Sequence, residues 1–284
     1  MHPVLAEFEI GGTTVTIAAY STFLLLAVLA SVALAVPGAA RLGVSRRWAV
    51  AWYACALVAG LAGARLLDVV LNGRAYAGAP WRIASLDLQG FALYGGFALA
   101  VPVALAAARS WRVSPWALAD SAIPAVTAGI VLLRVGCFLN GCCAGTATDL
   151  PWAVVFPAHA ASLDVRLLTG AGLLRLDDAP VPVHPTQLYE LGAALACCVL
   201  AWIVRRRRVP AGVPALVFTA GFVLFRAVNQ VIRPPVPGLP APDWFLPVLY
   251  ATAAMVAGMV LAWRWRSALV PAGRLPACMV ARAE

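Results

Sequence analysis

Apolar and polar positions along this chain fall into long blocks. Stretches of about 20 residues, apolar on every side, are separated by short arginine-bearing connections. A helix apolar all round has no water-facing side, and about 20 such residues span the hydrocarbon of a bilayer. By that measure helices are predicted near 16–36, 48–67, 91–108, 115–135, 184–204, 213–233 and 244–263. Pro102 and Pro124 interrupt the third and fourth, and Asp120 lies within the fourth. The longest polar stretch, 136–183, holds the turn-rich pieces TATDLPW and LDDAPVPVHP and predicts a small extracytoplasmic head with little regular structure. The blocks together predict one all-α, seven-span, multi-pass membrane domain over 1–284, without internal repeats.

Composition agrees. Of 284 residues 63% are hydrophobic and only 12% charged, against about 25% charged in soluble domains. The net charge of +9 comes wholly from arginine, since lysine is absent. The arginines lie between apolar runs and form no single patch, which argues against nucleic acid as a partner. MHPVLAEFEI has no basic residue ahead of the first apolar run, so that run is expected to be an uncleaved span and not a signal peptide.

Orientation follows from arginine bias in short loops. One set of connections holds Arg41, Arg46, Arg47, Arg109, Arg112, the run Arg205 to Arg208, Arg264, Arg266, Arg274 and Arg282. The other holds only Arg74, Arg82, Arg166 and Arg175, with most of the acidic residues. The first set is therefore expected in the cytoplasm, with the N-terminus outside and the C-terminus inside.

Four arginines remain, Arg65, Arg134, Arg226 and Arg233, embedded in helices or at their outer ends. An arginine at bilayer centre costs about 3 kcal/mol on the insertion scale, so it usually faces a polar cavity or an anionic partner. For Arg65 and Arg233, snorkelling to the interface is the competing reading.

Polar residues cluster around the others. In LLRVGCFLNGCCAG, 132–145, a continued helix would put Arg134, Cys137 or Phe138, and Gly141 on one face. Gly136, Gly141 and Gly145 would allow close approach of a backbone or ligand. Arg134 could then hold a phosphate through its forked donors, with the Asn140 amide beside it. In VHPTQLYELG, 183–192, His184, Gln187 and Glu190 recur at helical spacing, and Pro185 suits a first turn. In FRAVNQVIRP, 225–234, Arg226, Asn229 or Gln230, and Arg233 line one face. LYGGFALA, 93–100, sets Gly95 and Gly96 beside Tyr94.

The cysteines Cys137, Cys142 and Cys143 admit several readings. Their spacing supplies no set of four zinc ligands, so no metal is expected, while a disulfide bracing the outer loop is compatible with an oxidising compartment.

The order of these pieces resembles the prolipoprotein diacylglyceryl transferase family across nearly the whole chain. The resemblance rests on Arg134-Val-Gly136-Cys137-Phe138-Leu-Asn140 with Gly145 closing the motif, on HPTQLYE from His184 to Glu190, on GAR at 63–65, and on Tyr20 and Asp120. Departures are Tyr94 where the family has histidine, Cys137 for asparagine, Cys142 for an acidic residue, and Phe222 and Gln230 for tyrosine and glutamate, which marks a divergent branch.

The resemblance implies seven helices with the N-terminus outside, in the bacterial cytoplasmic (inner) membrane. It also implies transfer of the diacylglyceryl group of phosphatidylglycerol to the lipobox cysteine of preprolipoproteins, recognised by their signal peptides. Arg134 and Arg226 would grip the lipid phosphate and Tyr94 would orient or deprotonate the thiol. Tyr20, Arg65, Gly95, Gly96, Gly136, Cys137, Asn140, Gly141, Gly145, His184, Gln187, Glu190, Gln230 and Arg233 would line the lipid or substrate site. No cofactor is expected. Other readings stay open: a transferase with another acceptor, a non-catalytic lipid-binding protein, and a thiol redox protein using the three cysteines.

Overall fold

The computed structural model describes residues 4–10, 13–71, 73–78, 80–84, 93–156, 168–169, 172–173, 181–207, 209–234 and 242–269. The chain opens with strands β1 (Val4–Ile10) and β2 (Thr13–Ala18), paired antiparallel. Helices α1 (Ala19–Ala40), α2 (Arg46–Leu71), the single turn α3 (Gly73–Ala77), α4 (Leu93–Ser110) and α5 (Pro115–Asn140) follow. The head contributes two-residue strands β3 (Val154–Val155), β4 (Leu168–Thr169), β5 (Gly172–Leu173) and β6 (Pro182–Val183), with β3 pairing β6 and β4 pairing β5. Helices α6 (Thr186–Arg205), α7 (Val213–Val231) and α8 (Phe245–Leu269) complete the fold.

Six helices among the described residues, α1, α2, α5, α6, α7 and α8, are long and apolar enough to cross a membrane. The predicted third span corresponds to α4, whose apolar part, Gly95–Ser110, is shorter. The first helix begins later than its apolar run because Thr13 to Ile17 are all β-branched, a composition that suits a strand. Helix α5 runs past the predicted end at 135 to Asn140, before Gly141, at φ 77°, ends it in the left-handed conformation. That cap corrects the expectation that Gly141 shares a helical face with Arg134.

Pairs α1–α5, α2–α4 and α7–α8 make the closest associations, and α6 packs against both α5 and α7. Lipid tails are as apolar as leucine, so helix association in a bilayer depends on close packing and hydrogen bonds. Gly63 and Gly95 bring α2 and α4 backbone to backbone, because a methyl on either would overlap the other's carbonyl oxygen. Gly96 adds to the contact, where a Cβ would lie 3.1 Å from the Gly60 carbonyl oxygen. Substituting Gly95 by leucine is expected to force these helices apart, read as loss of folded, monodisperse protein in detergent.

A buried carboxylate ties α5 to α7. Asp120 accepts the Gly212 N–H at 2.7 Å and the Ala215 N–H at 2.9 Å, and so caps from another helix the exposed donors that begin α7. The α7 N-terminus also attracts the carboxylate charge. Asp120→Ala is expected to cost about 1–3 kcal/mol of stability, measured as a lower thermal midpoint. It stands near the start of α5, at the opposite end of that helix from Arg134.

Candidate functional site

Antiparallel packing of α5, α6, α7 and α8 brings the end of α5, the start of α6, the end of α7 and the start of α8 to one end of the bundle. Arg134, Glu190, Arg226 and Tyr250 each lie within two turns of those helix ends, a depth of about 10 Å. Glu190 is the hub. It is 1% exposed, and three guanidinium groups surround its carboxylate. Arg134 Nη2 lies 2.6 Å from Oε2, Arg233 Nη1 lies 2.8 Å from Oε1, and Arg226 Nη1 donates to Oε1 as well. The Asn229 amide donates to the same oxygen at 3.0 Å.

Arg226 and Arg134 are each held from a second side. Arg226 Nη2 donates to Gln230 Oε1 at 3.3 Å and to the Tyr250 hydroxyl at 3.1 Å, with its guanidinium 5.0 Å from the Tyr250 ring centre. Arg134 Nη1 points to Cys137 Sγ at 3.9 Å. A buried carboxylate would be costly alone; here three positive charges surround one negative charge, leaving an excess of two. The arginines remain 14–16% exposed while Glu190 is sealed. A second anion can thus approach the guanidinium groups from the open side.

The turn after α5 builds the adjoining wall. Thr186 Oγ1 donates to the Cys143 carbonyl and Gln187 Nε2 to the Cys142 carbonyl, both at 2.6 Å. Gly145 N–H donates to the His184 carbonyl at 2.8 Å, and Thr146 N–H to the Ile232 carbonyl at 2.9 Å. Gly145 sits where these three segments meet: a Cβ there would lie 2.7 Å from His184 Cβ and 2.8 Å from the Ile232 carbonyl. Gly136 serves α1 in the same way, since its Cβ would meet Phe23 Cβ at 2.7 Å. Asn140 lies beside Cys142, and Tyr20 is within electrostatic reach of Arg134 and the three thiols.

Hydrogen bonds from Cys137 and Cys142 hold the Cys143 thiol well below its ordinary range; Arg233 and Arg134 act in the same direction against burial.

Several expected site residues have other partners. Helix α6 starts at Thr186 with Pro185 as its cap, so His184 precedes the helix and is not on its Gln187–Glu190 face. Its Nδ1 lies 3.4 Å from the Tyr189 hydroxyl, which also accepts the Trp152 indole N–H at 2.7 Å. Arg65 is buried in α2, where Nη1 donates to the Tyr76 hydroxyl at 3.3 Å and Tyr76 donates to Asp68. Gly95 and Gly96 lie in the α2–α4 contact. The Tyr94 side chain lies outside the described residues. Tyr250 was not singled out from sequence, although a hydroxyl in an otherwise apolar run was a usable signal.

A family model described as prolipoprotein diacylglyceryl transferase matches residues 6–266. The chain is also similar to curated proteins named phosphatidylglycerol–prolipoprotein diacylglyceryl transferase. That of Rhodopirellula baltica is 34% identical over 173 residues, 59% of this chain and 35% of that protein. That of Bordetella avium is 32% identical over 181 residues, 60% of this chain and 62% of that protein. That of Solidesulfovibrio magneticus is 33% identical over 187 residues, 61% and 63% of the two. The chain thus spans between about a third and just under two thirds of the length of these relatives.

Proposed function

The chain belongs to the prolipoprotein diacylglyceryl transferase family, and from that premise we propose that it transfers the diacylglyceryl group of phosphatidylglycerol to the lipobox cysteine of preprolipoproteins. The acceptor sulfur attacks the glyceryl carbon that bears the phosphate. A carbon–sulfur bond forms, the carbon–oxygen bond breaks with its electron pair leaving on oxygen, and glycerol phosphate departs. The thiol proton ends on solvent or on the departing phosphate.

The observation that carries this reading is the convergence of Arg134 and Arg226 on the two oxygens of a single carboxylate. Two guanidinium groups close enough to share one carboxylate are close enough to share one phosphate. Their forked donors suit that ligand better than the point charge of a lysine would. Charge balance favours the displacement too. A phosphodiester carries one negative charge and the departing monoester gains a second, so the surplus positive charge of the cluster is matched more fully as the bond breaks. Such charge-directed stabilisation is the largest contribution in many enzymes. Glu190 sets the spacing of the guanidinium groups, and Gln230 and Tyr250 fix the orientation of Arg226.

The bundle sits in the cytoplasmic membrane of a bacterium with α4 as a seventh span. The arginine-rich connections face the cytoplasm and the arginine cluster faces the outer leaflet, where preprolipoproteins present their lipobox after export. Support comes from the strong asymmetry of arginine between the two sets of connections. Tyr94, in the first turn of α4, takes the role of orienting the acceptor thiol. The lining is completed by Tyr20, Gly136, Cys137, Asn140 and Gln187.

Purified protein in vesicles of phosphatidylglycerol, offered a peptide bearing a lipobox cysteine, should yield a thioether adduct with the mass of one diacylglyceryl group. Vesicles of phosphatidylethanolamine should yield none. Lipid retained without any adduct would favour a non-catalytic lipid-binding protein; an adduct only on a different acceptor would favour a sister transferase.

A further inference from the structure

We propose that Cys137, Cys142 and Cys143 form a three-thiolate site for a soft monovalent cation of the copper(I) class. This assignment does not rest on the transfer reaction, although the two sites share Cys137 and adjoin at Arg134. The sequence spacing did not point to a metal, since it supplies no set of four zinc ligands. The structure brings the three together: their sulfur atoms all lie within 4.8 Å of one another. With metal–sulfur bonds of about 2.3 Å, three sulfurs around one ion in a plane lie about 4 Å apart. Only small side-chain rotations separate the observed arrangement from that geometry.

Backbone conformation creates the convergence. Gly141 at φ 77° and Cys143 at φ 65° both adopt the left-handed conformation. The latter is uncommon for a residue with a Cβ and tends to mark functional sites. The first folds the chain back on the last turn of α5, so that the Cys142 N–H meets the Cys137 carbonyl at 3.1 Å, and the second turns the chain again after Cys142. Hydrogen bonds from Gln187 and Thr186 then hold the carbonyls of Cys142 and Cys143 against α6. The turn is thus shaped without a cross-link, and all three cysteines are free thiols.

The surroundings suit a cation held by anionic sulfur. The cluster sits at the C-terminus of a long helix, whose dipole favours positive charge. Two of the thiols are buried and one partly so, which keeps water from competing. Arg134, 3.9 Å from Cys137 Sγ, offsets the negative charge that three thiolates and one monovalent ion would leave. Soft thiolate donors select copper(I), zinc or iron–sulfur clusters. A structural zinc ion takes four ligands, and among the described residues no histidine, aspartate or glutamate joins this group. Copper(I) is satisfied by three sulfurs. On binding, the thiols form metal–sulfur bonds and release their protons to solvent, with no change of oxidation state.

The test uses the whole protein in detergent, kept reduced under inert gas and titrated with copper(I) from a coloured competing chelator. One copper per chain should be withdrawn, with sulfur-only coordination at about 2.3 Å by X-ray absorption. Cys142→Ala and Cys143→Ala should each weaken retention by more than the roughly 10- to 100-fold that loss of even an outer-shell partner costs. Cys197→Ala/Cys198→Ala, a pair within α6, serves as the control and should retain copper. Equal binding by wild type and the Cys142 and Cys143 variants would overturn the proposal, as would a zinc ion held in preference to copper(I). So would a disulfide between any two of the three in cells alkylated before lysis, which would make the cluster a redox pair.

Discussion

Arg226→Ala is expected to abolish thioether formation in phosphatidylglycerol vesicles, and Arg134→Ala to do the same. Loss of one preorganised donor at a centre of developing charge costs on the order of 100- to 1,000-fold in turnover. Each of these arginines supplies more than one donor. Arg226→Lys is nearly as damaging, because an ammonium cannot reach Glu190, Gln230 and Tyr250 together as the planar fork does. Radiolabelled lipid or mass spectrometry of the acceptor peptide reads the outcome, at matched amounts of folded protein. Full activity in both alanine variants would remove the arginine pair from the chemistry and leave the shared carboxylate as a structural tie.

Glu190→Ala is the second large effect. It leaves three guanidinium groups facing one another without their common counter-charge. Breaking a buried ion pair by removing one partner costs about 3–5 kcal/mol. Partial exposure of the arginines reduces that figure, while the loss of three contacts at once increases it. The expected result is a sharply lower thermal midpoint in detergent and no transfer.

Glu190→Gln separates positioning from folding. The amide keeps the side-chain shape and one accepting oxygen but loses the charge, so the cluster becomes more positive. Retention of phosphatidylglycerol should hold or rise while turnover falls by on the order of tenfold, because the guanidinium groups no longer share one fixed centre. A purely structural Glu190 would instead lose lipid binding and turnover together, in proportion to the unfolded fraction.

Much of the architecture is legible from the chain alone, for a physical reason. Water is absent from hydrocarbon, so a spanning segment outside a closed barrel is a helix with its lipid-facing sides apolar. Both demands are written locally, which is why the apolar runs coincide with α1, α2, α5, α6, α7 and α8 to within a few residues. Where a local pattern competes, boundaries shift. Thr16 to Ala18 fall within the span predicted at 16–36, yet they continue the β-branched run from Thr13 and belong to a strand. Gly141 reads as one more turn of helix by spacing, yet it is the residue best able to end one.

The embedded arginines are legible for the same reason as the helices. Charge in hydrocarbon is costly, so Arg134, Arg226 and Arg233 stand out as residues that need an anion. Their partner is not legible. Glu190 lies 36 residues from Arg226 and 43 from Arg233, and only the depth and rotation at which α5, α6 and α7 pack bring them to one carboxylate. Arg65 carries the same local signal and goes elsewhere, to Tyr76 in α3, just beyond the end of α2. Likewise, two left-handed turns carry Cys142 and Cys143 back to Cys137.

A helical membrane bundle with embedded positive charge can be read from the chain alone, because hydrophobicity and the cost of desolvating a guanidinium are properties of single residues and short runs. Which carboxylate those charges share, and which sulfurs meet, was decided only by the tertiary structure. Both depend on the relative depth and rotation of helices distant in sequence, a property of the packed bundle and not of any one segment.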